Sequence, residues 1–134
     1  MSYLPVRLQP GDDLRKFLEQ LSRSFPTQSG FVVSGIGSLS NASIRLADQS
    51  AETLIQGPLE LVSISGSLSQ GGAHIHLSVA DASGQVKGGH LGYGTLVRTT
   101  AEILLTSLDA WTLVREMDEV TGFKELVVRP AFQR

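Results

Sequence analysis

Residues 73–91 constrain this chain more than any other stretch. They read as a strand, a tight turn and a second strand, with histidines placed on both arms. Ala82-Ser83-Gly84 fits a three-residue hairpin loop, a type I turn closed by a glycine in the left-handed region. That loop pairs Asp81 with Gln85, and counting back along the ladder sets His76 opposite His90. Residues two apart on a strand share a face, so His74 and His76 project together. Directly opposed residues have Cβ atoms roughly 5 Å apart, and His90 therefore joins them. A four-residue loop would shift the register by one and send His90 to the other face. The geometry hangs on Gly84.

The chain has 3 histidines in all, and every one lies in this hairpin. Imidazole nitrogens converging on one point suit a transition metal, zinc first by ligand type. His74, His76 and His90 are the expected ligands. Three protein ligands leave a fourth position for water, an anion or a neighbouring subunit. The competing readings are an exposed trio on a hairpin face, or core histidines bonded to backbone carbonyls. Gly88-Gly89 before His90, and Gly92 and Gly94 after it, fit either close approach of another segment or a bent strand edge. Gly35-Ile36-Gly37-Ser38-Leu39-Ser40 is not a dinucleotide fingerprint, because Ser40 replaces the third glycine and strand-like sequence follows. Its Ser/Gly content predicts a tight bend between two strands.

A length of 134 residues predicts one domain, spanning 1–134, with enough chain to bury a core without disulfides or structural metal. The chain contains no cysteine, which excludes disulfides, thiolate zinc sites and cysteine nucleophiles. No apolar run approaches the roughly 20 residues of a membrane helix, and Met1-Ser2-Tyr3-Leu4-Pro5-Val6 lacks the features of a secretory signal. A cytoplasmic location is expected. The net charge of −2 argues against broad attraction to nucleic acid. The basic residues are scattered: Arg7, Arg15, Lys16 and Arg23 near the start, Arg129 and Arg134 at the end.

A short strand from Tyr3 to Leu8 precedes Pro10-Gly11. Asp12 or Asp13 then caps a helix whose stripe is Leu14, Phe17, Leu18 and Leu21, ending near Ser22 to Ser24 because Pro26 disfavours continuation. Strand patterns follow at 31–37, 42–47 and 59–68. Leu96 to Leu108 also fits a helical stripe, but Thr99-Thr100 and the alternation of Val97, Thr99, Ala101, Ile103 and Leu105 favour a strand. Trp111 to Arg115 and Phe123 to Arg129 complete the set. The expected fold is α+β, mainly antiparallel sheet packed with one main N-terminal helix.

Several of these stretches together resemble one family. Pro10-Gly11-Asp12, then Gly35-Ile36-Gly37-Ser38-Leu39-Ser40-Asn41-Ala42, then Glu60-Leu61-Val62-Ser63-Ile64-Ser65-Gly66, are similar to the plants-and-prokaryotes conserved (PPC) domain. The histidine hairpin with Gly88-Gly89-His90-Leu91 and the tail Arg115 to Leu126 resemble its prokaryotic branch. The resemblance implies an antiparallel sheet with one long helix, a homotrimer, and a histidine metal site in prokaryotic members. In land plants the domain is joined to AT-hooks that hold A/T-rich DNA. This chain has no Arg-Gly-Arg-Pro core and no basic arm, so that DNA label transfers poorly.

Three functions follow as expectations. The first is a trimeric, metal-binding assembly or regulatory module, any link to DNA running through partners, with the strand edges and the apolar face around Leu91 to Leu96 in the trimer contact. The second is a zinc-dependent hydrolase or lyase on a small molecule, with Glu60 or Glu102 as base. The third and weakest is direct DNA binding by a basic stripe formed on assembly.

Overall fold

The computed structural model describes residues 2–132. Arg134, among the scattered basic residues, lies outside them. The order of elements is β1 (Ser2–Leu8), α1 (Leu14–Ser22), β2 (Gly30–Arg45), β3 (Thr53–Ser69), β4 (Gly72–Ala80), β5 (Val86–Leu91), β6 (Leu96–Ser107), β7 (Trp111–Met117) and β8 (Lys124–Pro130). Six strands form one antiparallel sheet in the order β1-β6-β2-β3-β4-β5, and β7 and β8 form a separate hairpin. The sheet curls until β5 returns to β2, where Ile44 pairs with Leu91 and Arg45 with His90. Curling encloses a core in which Leu8, Leu14, Leu18, Leu39, Ile44, Leu68 and Leu105 are fully buried.

Asp13 caps the helix, its carboxylate accepting from the Lys16 amide at 3.0 Å. Asp12 instead closes the preceding turn, accepting from the Gln9 amide. Leu14 and Leu18 are sealed in the core, with Phe17 and Leu21 packed at its margin. The helix runs for only 9 residues, shorter than the long helix implied by the resemblance. The hydroxyls of Ser22 and Ser24 bond back to the Glu19 and Leu21 carbonyls at its end, and Pro26 follows.

The bend expected at 35–40 is absent. Residues 30–45 form one strand of 16 residues, with register irregularities against β6 between Val32 and Ser34, Gly37 and Leu39, and Leu39 and Asn41. Glycine at 35 serves packing rather than a turn, since a Cβ there would lie 2.5 Å from the Ile103 Cδ1. The ambiguous stretch from Leu96 is a strand, with Val97, Ala101, Ile103 and Leu105 facing the core. Among the described residues no helix is long and apolar enough to cross a membrane.

Candidate metal centre and its cleft

The histidine hairpin forms in the predicted register. Asp81 and Gln85 close it, the Asp81 amide donating to the Gln85 carbonyl at 3.0 Å, and Gly84 takes φ +80°. The Asp81 carboxylate also accepts from the Ser83 amide and hydroxyl and from the Gln85 amide, at 2.9, 2.7 and 3.0 Å. These bonds, the Ser83 hydroxyl first, hold its pKa below the usual carboxylate value. Counting back from that turn, His76 pairs directly with His90.

Ile75, Leu77 and Val79 point into the core, so His74 and His76 stand on the outer face of β4. The ring centroids of His76 and His90 are 4.4 Å apart, and those of His74 lie 5.1 and 5.0 Å from them. Each ring offers a nitrogen within 4.8 Å of the other two, a spacing at which the three could hold a metal ion. Ligands on one zinc at about 2.1 Å would draw slightly closer than this, within the reach of side-chain rotation. Burial lowers the pKa of His74, helped by Arg115 and by His76. Burial, then Arg45, pushes His90 down to about 4. Both shifts favour the neutral imidazole that a metal requires.

A cleft of about 530 Å³ opens beside His74 and His90. Its walls carry Arg15, Arg45, Arg115 and Lys124, with Glu52 and Glu125. Two of the arginines are set by strand register. Arg45 pairs with His90 across β2 and β5, continuing the row that contains His76. Arg115 donates to the Ser67 hydroxyl at 2.6 Å, and Ser67 pairs directly with His74. Arg15 reaches from α1, donating to the Leu91 carbonyl at 3.2 Å and to Glu19 at 3.0 Å. Glu19 is only 8% exposed, and it also accepts from the Tyr93 hydroxyl at 2.6 Å and from the Ala73 amide. The Arg15 guanidinium stacks 4.2 Å over the Tyr93 ring.

Glu60 and Glu102 do not join this site. Both are exposed; Glu60 pairs with Ala80 at the far end of β4, and Glu102 sits between Arg7 and Ile36. Leu91 is 3% exposed and belongs to the core, which leaves Tyr93 as the exposed large apolar side chain between 91 and 96. The sequence reading missed the cleft's arginines and the carboxylates Glu52 and Glu125. They come from α1, β2, β7, β8 and the turn before β3, so no local signal groups them. Gly89 answers the question left open by the glycine pair: a Cβ there would lie 2.5 Å from the Arg45 carbonyl, so glycine lets β5 close on β2.

Residues 1–109 match the Plants and Prokaryotes Conserved (PCC) domain. Among curated proteins the chain is 50% identical, over 126 residues, to a bifunctional protein GlmU of Synechococcus; that match covers 94% of this chain and 20% of the relative. The chain therefore spans about a fifth of the length of the curated relatives it matches. A hypothetical protein from Salmonella superposes with a TM-score of 0.94 at 31% identity, covering 98% of this chain and 95% of the other. A metal-containing protein from Archaeoglobus fulgidus superposes at 0.80 with 26% identity, covering 95% and 94%.

Proposed function

The chain belongs to the Plants and Prokaryotes Conserved domain family, and from that premise we propose that it is a metal-binding assembly module. His74, His76 and His90 hold one divalent ion, zinc by ligand type. Three copies associate into a homotrimer. The convergence of three imidazoles from two paired strands carries the metal reading. The likeness to a metal-containing archaeal protein supports it. Exposed apolar side chains at Tyr3, Phe31, Val33 and Ile36, on β1 and β2, supply an adhesive surface for assembly. A closely similar stretch within larger proteins fits a module that works beside other domains.

The decisive experiment is metal content per chain in protein purified without a histidine tag, alongside His76→Ala. Near-stoichiometric zinc, lost in the variant, is the expected result. No metal in either protein overturns the reading. Light scattering of the same samples tests the trimer.

A second reading, a zinc-dependent hydrolase or lyase, is favoured by one observation: the cleft beside the histidines contains the carboxylate of Glu125. An ion with three imidazole ligands would lower the pKa of a bound water to about 7. Direct DNA binding fits least, since the net charge of −2 opposes it.

A further inference from the structure

We infer that the cleft beside the histidines binds a small molecule carrying a phosphate group, held by Arg15, Arg45 and Arg115. The Arg15 and Arg115 guanidiniums are bonded within one residue of a histidine or of its strand partner, and Arg45, whose guanidinium donates to the Gln49 carbonyl at 3.3 Å, is itself such a partner. Arg45 is the cross-strand neighbour of His90, Arg115 hangs from the partner of His74, and Arg15 is tied to the carbonyl following His90. They come from three separate elements, α1, β2 and β7, and all three line the cleft.

That arrangement suits a tetrahedral dianion better than a carboxylate. A planar carboxylate is satisfied by one guanidinium in bidentate fashion, whereas phosphate presents several oxygens to several partners. The charge count agrees: four cationic side chains, Lys124 included, face two carboxylates around the cleft. Its volume of about 530 Å³ falls in the range of small-molecule sites, too large for a bare ion. Phe123, on the same wall and 72% exposed, offers apolar surface to the organic part of the ligand.

Arg15 is the best organised of the three. Glu19 and the Tyr93 ring fix its side chain before any ligand arrives, which reduces the ordering cost of binding. Residues 115, 123 and 124 lie beyond the family-matched span of 1–109. The arginines are charged with or without an ion, so the inference stands apart from the metal reading.

Calorimetric titration of chelator-treated, metal-free protein with pyrophosphate tests it, with citrate as the carboxylate probe. Saturable binding of pyrophosphate, weaker binding of citrate, and a loss of about ten-fold or more in affinity for Arg45→Gln and Arg115→Gln are expected. Arg7→Gln removes an equal charge far from the cleft and should leave affinity within about two-fold. Circular dichroism checks each variant's fold, and Arg15→Gln replaces any that fails to fold. No saturable heat with pyrophosphate, citrate binding as tight as pyrophosphate, or equal losses in Arg7→Gln and the cleft variants would each overturn the inference. Because the protein is metal-free, a failure of zinc binding does not disturb the outcome.

Discussion

His76 and His90 are direct cross-strand partners, and their ring centroids lie 4.4 Å apart. Their meeting depends on the loop between them, because strand side chains alternate with a period of two. Inserting one glycine after Gly84 lengthens the loop and shifts β5 by one residue, which turns His90 away from His74 and His76. The expected result is protein with near-native circular dichroism and no bound zinc. Retention of stoichiometric zinc by the insertion variant would show that the hairpin register does not set the site.

The same turn predicts a milder effect. Gly84 sits at φ +80°, a conformation that costs a residue with a Cβ about 1–2 kcal/mol. Nothing lies within 4 Å of the position a Cβ would take, so Gly84→Ala meets backbone strain without a clash. Chemical denaturation should register a loss of about 1 kcal/mol with the metal site intact.

Gly89→Ala should behave differently. The added Cβ would meet the Arg45 carbonyl at 2.5 Å and the Ile44 side chain at 2.9 Å. Either β5 separates from β2, or the surrounding backbone shifts at a cost of about 1–3 kcal/mol. Both outcomes displace His90, so metal affinity should fall together with stability. A variant as stable and as well loaded with metal as the parent would contradict the closure of the sheet at Arg45.

The histidine site was legible because everything that builds it is local. Asp81, Gly84 and the alternation of β4 lie within a few residues of one another, and hairpin geometry does the rest. The stretch Gly35 to Ser40 was misread because its glycines answer to a distant strand. Gly35 makes room for Ile103, 68 residues along the chain, and no local rule encodes that packing. The cleft was invisible for the same reason. Arg15, Arg45 and Arg115 are scattered cations in the sequence, and only the curling of the sheet and the return of β7 place them around two histidines.

Glu19 links the helix to both arms of that region. It accepts from Arg15, from Tyr93 and from the amide of Ala73, the residue before His74. Its hydrogen bond from Tyr93 raises that phenol's pKa. Glu19→Ala removes the buried acceptor that ties these three part-buried donors together, at a cost of about 1 kcal/mol. Urea denaturation of the metal-free protein should show that loss. Spectrophotometric titration should show the Tyr93 pKa moving down toward its ordinary value, a response that packing damage elsewhere would not produce.

Acid should destabilise the metal-free protein in a defined window. Burial and Arg45 hold His90 at about 4 in the folded chain, and burial and Arg115 lower His74 as well, whereas an unfolded histidine titrates near 6.5. Between those values the unfolded state binds more protons than the folded state, so stability rises with pH there and falls as pH drops. The contribution is fully present above about 6.5 and is lost as pH falls through about 4. Bound metal keeps protons off the same nitrogens in the folded chain, and its own affinity falls once those nitrogens protonate, so its stabilising effect is lost in acid. Thermal melts of chelated and zinc-loaded protein should therefore lie well apart at pH 7 and draw together as pH falls to and below about 4, the zinc-loaded sample losing the more Tm. A zinc-induced gain in Tm that persists undiminished below about pH 4 would mean that the ion is not held by His74 and His90.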